Sequence, residues 1–236
     1  VDDAATWRGL LAETAREPSE QPARICELCV ERLDVDGAGI SMVSAEGNRG
    51  VVCATDGVAR AIEELQLTVG EGPCVDAVRS GAPVLISDLR ATEELDVDRW
   101  PAFMRASELS PVRALFVFPL RVGAINVGAL DLYRIAPGEL ASADLTGALL
   151  AADAAALALL GLDDPGGVLS PGSLDMGATN QVQIHQATGV VQAQMHVTTE
   201  QAFLLLRARA FADGRRLSDL AADVVARRHR FSKDDA

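Results

Sequence analysis

Residues 114–134 read ALFVFPLRVGAINVGALDLYR and hold two long β-type runs, ALFVFPLRV and INVGALDLYR. Valine, isoleucine, leucine and aromatic residues dominate both, and these are the side chains that suit a pleated, half-buried surface. Phe116 and Phe118 alternate, so both lie on one face of the first strand, either as core or as a pocket wall. Towards the N-terminus, PVLISDLR (residues 83–90) predicts a brief strand. AGISMVSAE (38–46) and RGVVCATD (49–56) predict a hairpin with its turn at residues 46–48.

Helical patterns surround these strands. Ala5, Leu10 and Leu11 predict a helix within residues 2–16, and Pro18 and Pro22 punctuate before a second at about 22–32. Asp56 is placed to cap a helix running to about residue 66. TVGEGPCVDAVRSG then reads as a glycine-rich loop leading into a short helix with Pro73 near its start. After a segment containing Trp100 and Pro101 and the two long strands, residues 141–161 form an alanine- and leucine-rich helix. Helices at both ends of a mostly antiparallel sheet define an α+β class.

The last fifty residues have a different period. Ile184, Ala187, Val191 and Met195 fall on one helical face, and Leu217, Leu220, Ala221, Val224 and Val225 fall on another. Between them, Thr198 with Gln201 makes a capping-box signature, and Gly214 supplies the left-handed position that ends a middle helix. Three short helices are therefore expected over residues 178–232. Residues 162–177, LDDPGGVLSPGSLDMG, read as a linker by composition.

Length allows two units, one of ordinary domain size and one small, and 49% hydrophobic residues argue against disorder. The formal charge of −13 is unevenly spread. Residues 177–233 carry eight basic against four acidic side chains, a local balance of +4, whereas the preceding 176 residues carry 13 basic and 28 acidic, or −15. A basic tail on an acidic body fits a nucleic-acid-binding unit joined to a regulatory one, and it also fits a solvated helix face. Four cysteines with no signal peptide point to a reducing, cytoplasmic setting. The most apolar stretch, residues 148–162, is too short for a membrane span and is interrupted by Asp153.

Two stretches carry family resemblances. GEGPCVDAVRSGAPVLISDLR (residues 70–90), ALFVFPLRV and VGALDLYR resemble a GAF domain, and the likeness spans about residues 20–160. It implies a sensory fold that binds small molecules or mediates dimer contacts. HQATGVVQAQ, TTEQAFLLLRARAF and RRLSDLAADVV resemble the ANTAR domain, a three-helix RNA-binding module of bacterial transcription antiterminators. The matching positions are Ala187, Gly189, Ala202, Leu206, Arg207, Ala210, Arg216, Leu217 and Ala221. Thr188 stands where that family commonly has lysine. Together they imply a GAF-like antiparallel sheet with flanking helices over residues 1–161, followed by a small all-α, three-helix ANTAR-like bundle.

Candidate site residues follow from chemistry. Arg207, Arg209, Arg215 and Arg216, with Phe211 among them, are the candidate RNA contacts: arginine pairs with phosphate, and an exposed ring stacks on an unpaired base. Phe211 has an alternative place in the core, and the arginines an alternative as solvated surface. Cys74, just after Pro73 at a helix start, is a possible redox thiol, because a helix N-terminus favours thiolate.

No metal is expected. Cys26 and Cys29 form a single CxxC, and tetrahedral zinc would need Cys53 and Cys74 to converge on it. His185, His196 and His229 all lie in the C-terminal unit, which excludes a haem held by a histidine of the sensor. No catalytic constellation and no phosphate-loop pattern occurs, and the cofactor is unknown.

The expected whole is a non-enzymatic, cytoplasmic, homodimeric regulator with no membrane partner. It senses a signal, with a small-molecule ligand in the GAF-like unit as one route, and binds RNA hairpin loops in leader transcripts to prevent termination. Dimerisation is expected through the stripe Leu145, Leu149, Ala152 and Ala156. The alternatives are a DNA-binding regulator with a GAF sensor and a GAF-fold redox enzyme or sensor.

Overall fold

The run at residues 114–134 forms the middle of one five-stranded sheet. Its strands are β1 (Gly37–Val43), β2 (Arg49–Ala54), β3 (Val84–Ile86), β4 (Ala114–Val122) and β5 (Ile125–Arg134), in the spatial order β2-β1-β5-β4-β3. Every neighbouring pair is antiparallel. The computed structural model describes residues 3–14, 18–43, 49–91, 99–107, 110–162 and 177–232. The expected turn at residues 46–48 and the body of the expected linker lie outside these residues. Leu162 itself ends a helix and Gly177 begins one.

Alternation along the strands assigns each face of the sheet. Ala114, Phe116, Phe118, Leu120, Leu130 and Leu132, with Ala38 and Ile40, point towards α1 (Asp3–Thr14), α2 (Gln21–Arg32) and α6 (Ser142–Leu162). Leu115, Val117, Ala129 and Tyr133 point the other way, towards α3 (Gly57–Val69), α4 (Pro73–Ser80) and α5 (Pro101–Ser107). The result is a sheet covered by helices on both faces, the expected α+β arrangement.

Local chemistry fixes the helix ends. Asp56 caps α3 by accepting from the N–H groups of Val58 and Ala59, and Gly70 at φ 72° ends it three residues beyond the expected stop at residue 66. Glu71 Oε1 accepts from the N–H groups of Ala102 and Phe103 at 2.6 and 3.1 Å, tying the glycine-rich loop to α5. Trp100 and Phe103 are core residues in edge-to-face contact, their ring centroids 6.4 Å apart.

α6 corrects two expectations. At 21 residues, close to the expected 141–161, it is long and apolar enough over Ser142–Leu160 to cross a membrane, so the shortness of residues 148–162 does not exclude a span. Here one side of it, Ala148, Ala151, Ala152, Ala155, Ala156 and Leu159, is buried in the core. Of the expected dimer stripe, Ala152 and Ala156 face inward, while Leu149 stays exposed together with Leu157 and Leu160. Nearly uniform alanine and leucine leave too little polar contrast to tell the faces apart.

The C-terminal residues form α7 (Gly177–Met195), α8 (Thr199–Ala212) and α9 (Leu217–Val225). Both halves of the Thr198/Gln201 capping box are formed, and Gly214 adopts φ 60°. Ile184, Ala187, Val191, Ala202, Leu206, Ala210, Leu217, Leu220, Ala221 and Val224 form their core. That core also takes in Leu67 of α3, so the three helices pack onto the sensor.

Candidate functional site

The expected RNA-contacting residues all lie on or beside α8 and the turn after it, but each arginine already has a partner. Arg207 Nε donates to the Thr68 carbonyl at 3.0 Å. Its guanidinium lies against Gly70, where an added Cβ would overlap it unless the arginine moved. Arg216 pairs with Asp219 at 3.0 Å and with Glu64 at 3.7 Å, and Ser218 Oγ lies 3.4 Å from Glu64 Oε1. Arg209 pairs with Asp213 at 2.9 Å and Arg215 with Asp223 at 2.5 Å. Thr68 and Glu64 belong to α3, so two of the four arginines are held by the sensor.

Phe211 is 48% exposed, which removes the core alternative and leaves its ring available. Leu204, two turns earlier on α8, is also exposed. Thr188 is buried, with its hydroxyl donating to the Ile184 carbonyl at 2.8 Å, so the departure from the ANTAR pattern falls on the inward side of α7. A cleft of about 540 Å³ opens at the junction. Val58, Ala61 and Leu65 of α3 form one wall and Ala210, Phe211 and Arg215 another.

A second polar constellation lies inside the sensor, between α3, α4 and the sheet. Glu63 of α3, Cys74 of α4 and Asp131 of β5 are all buried and bring a carboxylate oxygen, a sulfur and a carboxylate oxygen within 4.8 Å of one another. Gln66 joins two of them: its Nε2 donates to Asp131 Oδ2 at 2.7 Å and its Oε1 accepts from the Cys74 N–H at 2.7 Å. Ser41 Oγ is 3.4 Å from Cys74 Sγ. Gly39 makes room on β1, where a Cβ would stand 2.9 Å from Glu63 Oε1. Burial, then the neighbouring Asp131, raises the Glu63 carboxyl well above the usual carboxylate range.

Sequence reasoning placed Cys74 at a helix start, and it is the second residue of α4. It is also 3% exposed, so an oxidant in solvent does not reach it without an opening of the fold. Glu63, Asp131, Gln66 and Ser41 were missed. Their signal was present as a single acid within the aliphatic run of β5 and a glutamate pair within an apolar helix. The four cysteines do not converge. Cys26, Cys29 and Cys53 lie on the α2 side of the sheet, with Cys26 Sγ 3.5 Å from Cys53 Sγ, and Cys74 lies on the opposite side.

Solved structures with this architecture share little sequence with the chain. The GAF domain of the phosphoenolpyruvate-protein phosphotransferase of Acinetobacter is 10% identical with a TM-score of 0.54, covering 70% of this chain and 96% of its own. The corresponding domain from Coxiella burnetii is 12% identical with a TM-score of 0.51, covering 70% and 99%. Free methionine-R-sulfoxide reductase of Neisseria meningitidis is 18% identical with a TM-score of 0.46, covering 68% and 92%. No curated protein matches the chain. In sequence, residues 19–205 match the GAF domain family. With that match covering well over half its length and the five-stranded antiparallel sheet between helices on both faces, the chain belongs to the GAF domain family.

Proposed function

We propose that this chain is a signal-responsive regulator in which the GAF domain controls a C-terminal, ANTAR-like RNA-binding unit. That unit binds hairpin loops in leader transcripts and prevents transcription termination, with no catalytic step. The observation that carries this reading is the grip of α3 on the basic residues. Thr68 and Glu64 engage Arg207 and Arg216, which a polyanion would otherwise engage. Phosphate and α3 therefore compete for the same guanidinium groups, and an input that changes the packing of α3 changes what RNA has to displace. The local charge of +4, exposed Phe211 and the ANTAR-type residues on α7, α8 and α9 support RNA as the competitor.

The junction cleft gives a small molecule a surface that touches both units at once. The unit works as a pair, with the exposed Leu149, Leu157 and Leu160 stripe of α6 as the contact between copies. A gel-shift comparison of a tandem-hairpin RNA with duplex DNA of matched length tests the reading. RNA is bound preferentially, affinity falls steeply with salt, and Arg215→Ala with Arg216→Ala weakens binding and flattens that dependence. Equal affinity for duplex DNA, or a double variant that binds RNA as the parent does, rejects this assignment.

A further inference from the structure

The constellation around Cys74 is independent of RNA binding and has its own chemistry. Three ionisable side chains from three different elements meet inside the GAF domain core, on α3, α4 and β5. Glu63 is 3% exposed and its carboxyl lies in the group, hydrogen-bonded to Asp131 and Ser41, while its Oε1 has no hydrogen-bond partner among the described residues. The groups acting on Glu63 are the Asp131 carboxyl, the Ser41 hydroxyl and, from across the sheet, the Cys53 thiol, and none of these is a cation. Buried carboxylates in such a setting call for a shared proton or a positive ion.

We infer that Glu63, Cys74 and Asp131 form a binding site for a single divalent transition-metal cation inside the GAF domain. Ligand atoms about 2.0–2.3 Å from one ion lie at most about 4.6 Å apart, so the three atoms, all within 4.8 Å of one another, need only a small approach to close on it. A thiolate with two carboxylates selects zinc or ferrous iron over magnesium or calcium, which take oxygen ligands only. Gln66 acts as a positioning residue, since its one amide orients the Asp131 carboxylate and fixes the backbone of Cys74. Ser41 stands beside the sulfur and is placed to reach a fourth position. Metal binding releases both the Cys74 proton and the proton held on the Glu63 carboxyl into solvent, leaving a thiolate and two carboxylates, with no change of oxidation state.

Cobalt(II) titration of chelator-treated full-length protein under anaerobic conditions tests the site. One equivalent binds, with a sulfur-to-cobalt charge-transfer band in the near ultraviolet, and zinc displaces it. Cys74→Ser abolishes the band and Cys53→Ala retains it. Glu63→Gln weakens binding, and Gln66→Ala lowers affinity about 10- to 100-fold. Parallel titrations with zinc and ferrous iron, read by the rise in Tm, identify the preferred ion. Absence of cobalt uptake by the folded parent protein overturns the inference whatever the variants do, and assigns the carboxylates to a shared proton. A band that survives Cys74→Ser in a folded variant, judged by circular dichroism, overturns it as well.

Discussion

Asp88 accepts two hydrogen bonds from the Arg113 guanidinium, at 2.9 and 2.6 Å, and a third from the Arg90 N–H, closing the end of the β3 edge. Arg113, and then the Arg90 amide, hold its carboxyl below the ordinary 3.8. A carboxyl with a lowered folded value stabilises the fold above its unfolded value and loses that contribution as pH falls through the folded one. Asp88→Asn is therefore expected to lower Tm by a few degrees at pH 7, with the deficit vanishing as pH falls through the lowered folded value. A deficit that persists in acid points to lost packing instead. The cysteines answer to the same logic. The contact with Cys53, and then burial, raises the Cys26 thiol, and burial pushes Cys29 up to about 12. Under native conditions Cys26, Cys29 and Cys74 are expected to react with a disulfide reagent only as fast as the fold opens, and all four cysteines react at once in denaturant. A fast native reaction at Cys74 restores its redox role. Its place at a helix start was legible because Pro73 marks it, but its burial depends on α4 closing over a sheet whose β4 and β5 come from forty or more positions away.

At the scale of elements, legibility follows contrast. β4 and β5 alternate so regularly that Phe116 and Phe118 could be assigned to one face from sequence, and both lie on it. Phe118→Ala is expected to cost about 3–5 kcal/mol, measured by denaturant unfolding. α8 carries its own start and stop signals in Thr198, Gln201 and Gly214, and all three act as the sequence implied. α6 offers no such contrast, and the expected stripe mixed its two faces, with Leu149 outward but Ala152 and Ala156 inward. Leu157, 66% exposed, lies midway along the outward stripe, so Leu157→Glu is expected to convert a dimer to a monomer in light scattering while leaving the fold intact. An unchanged mass for the Leu149→Glu, Leu157→Glu double variant places the contact elsewhere.

Across the whole molecule, packing of the C-terminal helices on α3 was not legible, because it joins residues far apart in sequence, as when Thr68 meets Arg207. Both partners look like ordinary helix surface until they meet. Leu67 is the apolar centre of that contact, and Leu67→Asp is expected to release the C-terminal helices. Hydrogen exchange in α7, α8 and α9 then rises, and RNA affinity increases because Glu64 and Thr68 no longer compete. Faster exchange without tighter RNA binding separates docking from inhibition and removes α3 as the control element.

Glu63 and Glu64 are neighbours in the chain, yet one points to the interior constellation and the other to Arg216 and Ser218. Successive helical residues stand about 100° apart, so the two carboxylates are spokes of one axle. Side chains reach roughly 5–6 Å from a helix axis, so a rotation of α3 by about 10° sweeps each spoke tip by about 1 Å. With Glu64 already 3.7 Å from Arg216, a displacement of that size would break this contact and leave Arg216 on Asp219 alone. A pull that draws Glu63 inward would turn Glu64 with it, so α3 is placed to gear the interior of the domain to its outer surface without any strand of the sheet having to move.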